Sequence, residues 1–323
     1  MKRTPLAAAL SAALLCLSAC GTLSNSDQGG YPKQGDTVQL LLGLSAGGTT
    51  DTWARILADE LSQKSGAKFQ VVNKPGSGGQ LAINELLAKK DTNVIANVNL
   101  PTALKYLYPN AQANYSRQDF SLVGCTGYTP NVIAVHADSP YRTLSDLLND
   151  IHARPGKVNA AADGALSDDT VAYANFARAA SANFNTVVVD GASEKVTALL
   201  GKQVDFFSGG LTGLQAQYKA GQFRILAALA DQRSPYLPDV PTAKEQGVDL
   251  LSDSYFCVTM AADAPEQARA SLENAMREVS ADPKYQEANA KVGMQVKFLD
   301  GQQLSALWAQ QENNLREVIK TIG

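Results

Sequence analysis

Histidine is scarce in this 323-residue chain, which carries only two, His136 and His152. A serine hydrolase needs an imidazole base downstream of its nucleophile, and neither histidine lies in the last half, where a strand-elbow hydrolase places it. No helix pattern holds histidines four apart, and the acidic residues are scattered, so a zinc-type ligand set is missing. Asp168-Asp169 is a candidate oxygen-ligand pair, but adjacent residues on a helix point in different directions. Cysteine is also sparse, at four, with no Cys-x-x-Cys spacing. Beyond the N-terminal region only Cys125 and Cys257 remain, too few for a disulfide framework, and their plainest reading is two buried thiols. Basic residues do not dominate: 28 Lys and Arg face 31 Asp and Glu. Nucleic-acid binding rests on clustered Lys and Arg, so that class is excluded.

The N-terminus reads as an export signal. Lys2 and Arg3 precede an apolar stretch, Leu6 to Leu17, too short to span a bilayer as a stable helix. Leu17-Ser18-Ala19-Cys20 resembles a bacterial lipobox, which makes Cys20 the expected lipidated first residue of the mature chain. Residues 20–35, rich in Ser, Asn, Gly and Gln, read as a flexible tether. Cleavage removes Lys2 and Arg3, leaving 26 basic against 31 acidic residues, a mature charge of −5. No second apolar run approaches ~20 residues, the length of a membrane span. The remaining length exceeds one typical core and suggests two domains.

Strand-like and helix-like segments alternate along the rest. Val94 to Val98, Asn131 to Val135, Thr186 to Val189, Val204 to Phe207 and Arg224 to Ala230 read as short buried strands. Thr143 caps a helix with Leu144, Leu147, Leu148 and Ile151 on one face. Ser193 precedes another, with Val196, Leu199 and Leu200, and Gly201 ends it. Pro265 suits a first-turn position before Leu272, Met276 and Val279. Asp300 opens a last helix, with Leu304, Leu307, Trp308, Leu315 and Ile319 inward. This alternation predicts α/β architecture with doubly wound sheets. No internal repeat is visible in the residues.

Two glycine-rich turns follow predicted strands and open predicted helices. Ser45-Ala46-Gly47-Gly48-Thr49-Thr50-Asp51 follows Val38 to Leu42, and Asn73-Lys74-Pro75-Gly76-Ser77-Gly78-Gly79 follows Phe69 to Val72. A helix start exposes unpaired N–H groups and the positive end of the macrodipole, and glycine lets a ligand reach the backbone. Two such turns side by side suit a small carboxylate. Gly43-Leu44-Ser45-Ala46-Gly47 also imitates a nucleophile elbow, but the histidines do not support it. Gly43 to Thr50 imitates a phosphate loop, yet Thr49 stands where the phosphate-binding Lys is required. No catalytic residue or cofactor is expected. Asp51 reads as a helix cap paired with Arg55 at i, i+4. Trp53, Tyr128 and Tyr173 read as packing residues.

These turns carry a family resemblance. Gly47-Gly48-Thr49-Thr50-Asp51-Thr52-Trp53-Ala54-Arg55 and Asn73 to Gly79 resemble two motifs of the tripartite tricarboxylate transporter solute-binding proteins, the Bug-type extracytoplasmic receptors. Lys219-Ala220-Gly221 and Arg233-Ser234-Pro235-Tyr236-Leu237-Pro238-Asp239-Val240-Pro241-Thr242 match two further stretches in the same order. The resemblance runs from about Thr37 onward. It implies a two-domain periplasmic-binding-protein-like α/β fold, each domain a doubly wound sheet, with two strands crossing at a hinge. Crossings near Val123 to Tyr128 and Tyr255 to Thr259 make domain 1 discontinuous, 36–125 with 257–323, and domain 2 residues 126–256. Cys125 and Cys257 then fall on neighbouring strands; whether they bridge is left open.

The implied function is a lipid-anchored monomeric receptor that hands a small organic solute to integral-membrane carrier subunits. The alternatives are an orphan receptor serving a signalling partner and an esterase using Ser45. The expected solute contacts in domain 1 are Ser45, Ala46, Gly47, Gly48, Thr49, Asp51, Gly76, Ser77, Gly78, Gly79 and Asn99. In domain 2 a family turn of small hydroxyl residues aligns with Gly164 to Thr170, giving Ser167, Asp168 and Asp169, while Asp190 stands where a Lys-like residue is common. Carboxylates at these positions predict an amine-bearing acid rather than a tricarboxylate.

Overall fold

The computed structural model describes residues 30–76, 79–100, 102–108, 113–162, 168–189 and 191–322. Cys20, Ser77, Gly78, Ser167 and Asp190 lie outside these residues, as do the export signal and most of the tether.

The first strand, β1 (Thr37–Leu42), leads through α1 (Thr49–Ser65) to β2 (Lys68–Asn73), and α2 (Gln80–Lys89) then leads to β3 (Val94–Asn99). Strand β2 pairs parallel to one edge of β1 and β3 to the other, so the direction of winding reverses at β1. Leu40 and Leu42 pack on one face with Trp53, Leu57 and Leu61 of α1. Leu41 packs on the opposite face with Ile83 and Leu86 of α2. A strand covered on both faces explains why β1 reads as a continuous apolar run.

The same arrangement recurs further along. Strand β5 (Asn159–Ala162), α4 (Asp168–Ala180), β6 (Asn185–Val188), α5 (Ala192–Leu200) and β7 (Phe206–Gly210) follow in order. Both β6 and β7 pair parallel to β5, one on each edge. Tyr173 and Phe176 of α4 pack on one face, Ala198 and Leu199 of α5 on the other. The repeat is one of topology, which is why the residues alone do not reveal it.

The long strand β4 (Phe120–His136) joins these two halves. Its residues 120–130 pair with β9 (Asp253–Ala261), and residues 131–136 pair with β7 and β8 (Phe223–Ala228). Strand β3 pairs with β9, which closes the ladder. Cys125 and Cys257 stand directly opposite each other in the β4–β9 register and form a disulfide. The expected crossing strands are therefore neighbours, and the thiols are joined rather than merely buried.

Helix α3 (Leu144–Ala153) starts as expected, with Thr143 and Asp146 forming a reciprocal capping box. Beyond the short α6 (Gln215–Lys219), Pro265 differs: it is the N-cap of α7 (Glu266–Ala281) and not a first-turn residue. After α7 come α8 (Pro283–Lys291), β10 (Gln295–Asp300), which pairs with β4, and α9 (Gly301–Ile322). Leu304, Trp308 and Leu315 of α9 are buried, in one cluster with Val171 of α4.

Trp53 is a packing residue, as expected. Its indole N–H donates to Thr126 Oγ1 at 2.9 Å, and that hydroxyl meets the Tyr285 hydroxyl at 2.8 Å. A buried polar chain satisfied at each step keeps α1 fixed against β4. Tyr173 likewise bonds backbone, donating to Ala161 O and accepting from Ser208 N.

Candidate functional site

In parallel ladders the carboxyl ends of neighbouring strands open on the same edge. The β1–β2 register puts Leu42 opposite Asn73, so the two glycine turns emerge side by side. They are also stitched together. Lys74 N–H donates to Leu42 O at 2.7 Å, and Asn73 Nδ2 donates to Leu44 O at 3.1 Å. Gly43 makes the closest approach: a Cβ there would stand 2.4 Å from the Gly79 Cα. That distance is impossible, so Gly43 is required by the second turn rather than by its own backbone angles. Gly79 itself has φ +93°, a region that favours glycine.

Gly48 is the N-cap of α1 in an extended conformation, and among the described residues no side chain caps it. The first amides of a 17-residue helix therefore face the turn without a side-chain acceptor. Ser45, Ala46 and Gly47 are exposed, while Gly48 and Thr49 are half-buried. Gly76 is exposed and Gly79 buried.

Asp51 pairs with Arg55 as expected, but its place in the helix differs. It is the third residue of α1, not its cap, and is buried at 4 % exposure. Its carboxylate accepts from Gly47 N–H at 2.9 Å, from Arg55 Nε and Nη2 at 2.9 Å each, and from Asn73 Nδ2 at 3.0 Å. Burial pushes its pKa up, but the bonds from Arg55, Gly47 and Asn73 outweigh burial and hold it below the ordinary value. With both oxygens engaged, Asp51 holds the two turns together.

The carboxyl ends of β1 and β3 flank the point where winding reverses, the position at which open α/β sheets present a crevice. A cavity of about 30 Å³ lies there, lined by Gly43 and Leu44 just after β1, by Gly79 of the second turn, and by Asn97 and Asn99 of β3. Asn99 Oδ1 is buried with no hydrogen-bond partner among the described residues. The hole is lined mainly by apolar groups, with the Asn99 oxygen as a polar point, and its size suits a single water or one solute atom. Asn97 is committed elsewhere, donating to Cys257 O at 3.0 Å.

The second half reverses winding at β5 and presents different chemistry. Asp169, in the first turn of α4, is buried and pairs with Lys195 of α5 at 2.6 Å. Lys195 Nζ also donates to Ser208 O of β7 at 3.3 Å. The expectation that Asp169 lends negative charge to the cleft is thus corrected, because an ammonium neutralises it inside the fold. Asp168 opens α4. Gly210 ends β7, and a Cβ placed there would stand 3.9 Å from Thr49 Oγ1 and 3.1 Å from Thr129 Cγ2. The end of β7 therefore lies against the start of α1.

Sequence reasoning missed Lys195, which looks like any helix-surface lysine, and Gly210, which carries no motif. His136 Nδ1 accepts from the Asp138 amide, and His152 Nε2 contacts Ala180 O, so each is held locally rather than at Ser45. Among the described residues no three metal-ligating side chains cluster, and no helix is long and apolar enough to cross a membrane.

The model of the TctC family, tripartite tricarboxylate transporter family receptor, matches residues 53–323. The chain belongs to this family. The second glycine turn lies within the matched span and the first just upstream of it. A relative from Cupriavidus necator, the UPF0065 protein in the gbd 5' region, is 28 % identical over 98 % of this chain and 95 % of its own. Among solved structures, the periplasmic binding protein BugD is 26 % identical with a TM-score of 0.79, covering 90 % of this receptor and 98 % of BugD. An R. palustris protein with adipate is 21 % identical with a TM-score of 0.83, covering 90 % of this receptor and 98 % of its own chain. The fold is that of the periplasmic binding proteins, and the family is one of solute receptors, not enzymes.

Proposed function

We propose that this receptor is tethered to a bacterial membrane by lipid on Cys20 and captures a small carboxylate-bearing solute outside the cytoplasm. Residues 36–125 with 257–323 form one domain and 126–256 the other, and they close about the paired strands β4 and β9. Closure buries the solute and completes the surface that integral-membrane carrier subunits recognise. The receptor acts as a monomer.

One observation carries this reading. Two glycine turns meet at the winding reversal, where α1 starts without a side-chain cap and the Asn99 oxygen lines a small cavity beside Gly43 and Gly79. N–H donors at a helix start complement a carboxylate, and an amide acceptor complements a hydroxyl or bridging water. The adipate held by the R. palustris neighbour supports the carboxylate class. An amino group on the solute now rests on Asp168 and Asp190 alone.

Thermal unfolding of the full-length protein against a panel of organic acids is the direct test. A true solute at 100 times its Kd adds about 2.7 kcal/mol of stability. A panel that leaves the midpoint unmoved at millimolar concentrations sinks the carboxylate reading. The anchor is tested separately: wild type should fractionate with membranes and Cys20→Ser should be released, whereas a soluble wild type would exclude lipidation.

A further inference from the structure

The pairing of Asp169 with Lys195 bears on what the far end of the solute is. Both side chains are buried, at 7 % and 4 % exposure. Each comes from the first turn of its helix, α4 and α5, on either side of the winding reversal at β5. Lys195 reaches the Ser208 carbonyl, and Gly210, two residues further along β7, lies against Thr49 of the first half. Two strand residues span about 7 Å. The ion pair therefore sits beneath the place where the two halves of the receptor approach.

We infer that the solute carries a single carboxylate and that its far end bears no negative charge. This inference rests on the carboxylate reading above. A carboxylate taken out of water needs a cation or several hydrogen-bond donors in return. The first half supplies helix-start amides for one. At the matching place in the second half, the buried cation among the described residues is Lys195, and its charge is already balanced by Asp169 at 2.6 Å. The other buried lysine among the described residues, Lys105 after β3, is also engaged within the fold. A second carboxylate arriving here would be desolvated beside a buried pair of zero net charge. A methyl end loses nothing by the same transfer, and an ammonium end is not repelled.

Asp169 is then a specificity-determining residue that cancels the attraction Lys195 would exert on a dianion. An unbalanced ammonium about 7 Å away, at an effective dielectric near 20, changes affinity for a carboxylate roughly tenfold to a hundredfold.

Calorimetric titration of the full-length protein with two matched series tests this. One series is hexanoate, 6-aminohexanoate and adipate; the other is butyrate, 4-aminobutyrate and succinate. The dicarboxylate should be the weakest of each series that binds, by about tenfold or more. Asp169→Asn should raise the affinity of the dicarboxylate relative to the monocarboxylate by roughly tenfold to a hundredfold. If that variant does not fold, Asp169→Leu combined with Lys195→Met removes both charges at similar volume and should preserve the wild-type order. A dicarboxylate that leads its series in wild type, or an unchanged ratio in folded Asp169→Asn, overturns the inference and leaves the carboxylate reading standing. A double variant with reversed order overturns it too. Absence of binding by all six acids removes the carboxylate reading and this inference with it.

Discussion

The segments β1–α1–β2–α2–β3 and β5–α4–β6–α5–β7 share strand order, parallel pairing and helices on alternate faces, yet their winding reversals differ in chemistry. In the first, backbone meets backbone: Gly43 lies against Gly79, and the buried Asp51 is bound by Arg55, Asn73 and an amide. In the second, a carboxylate and an ammonium are buried between the corresponding helices. The lesson is that topology decides where a crevice forms but not what it recognises. Bare backbone offers donors to an anion, whereas an internal ion pair removes charge from its surroundings.

Removing one member of the buried pair should show the largest difference between the halves. Lys195→Met leaves Asp169 buried without its cation and should destabilise the protein by about 3–5 kcal/mol in chemical denaturation. Adding Asp169→Leu should recover most of that loss. Recovery that fails would mean that the second half relies on the pair for more than charge balance.

Glycine substitution probes the halves in the opposite sense. Gly43→Ala forces the two turns apart, because its Cβ meets backbone at 2.4 Å, and should cost about 1–3 kcal/mol together with solute affinity. At Gly210 the nearest atom is a Thr129 methyl at 3.1 Å, which can give way, so Gly210→Ala should cost less than about 1 kcal/mol. Equal losses at the two positions would break the contrast between a rigid backbone contact and an adaptable one.

The smallest effect concerns Asp51 and pH. Its folded pKa is depressed below the ordinary carboxylate value, so its contribution is complete above the unfolded pKa near 4 and fades as pH falls through the folded value. Unfolding midpoints followed from pH 7 to pH 3 should therefore drop more steeply in wild type than in Asp51→Asn. Parallel curves would show that Asp51 does not couple the turns to protonation.

Much of the first half is visible in the residues because its signals are local. The run Val38 to Leu42, the glycines after it and the Asn73 to Gly79 turn specify strand, turn and helix start within a few positions. Strand β5 is not visible, since Asn-Ala-Ala-Ala has no strand preference and pairs only because β6 and β7 flank it. Strand β7 was expected from Val204 but runs from Phe206 to Gly210, since its glycine end is held by β4.

The sequence by itself determined the alternation of strands and helices, the two anion-suited turns and the family, because periodicity, capping and glycine demands act over neighbouring residues. Tertiary structure alone decided that Gly43 abuts Gly79, that Cys125 and Cys257 are joined, and that Asp169 is neutralised by Lys195. Those partners stand 36, 132 and 26 residues apart in the chain. At such separations no local pattern specifies a contact; the sheet order brings the groups together, and short-range repulsion, covalent bonding and Coulomb attraction then act on what it has placed side by side.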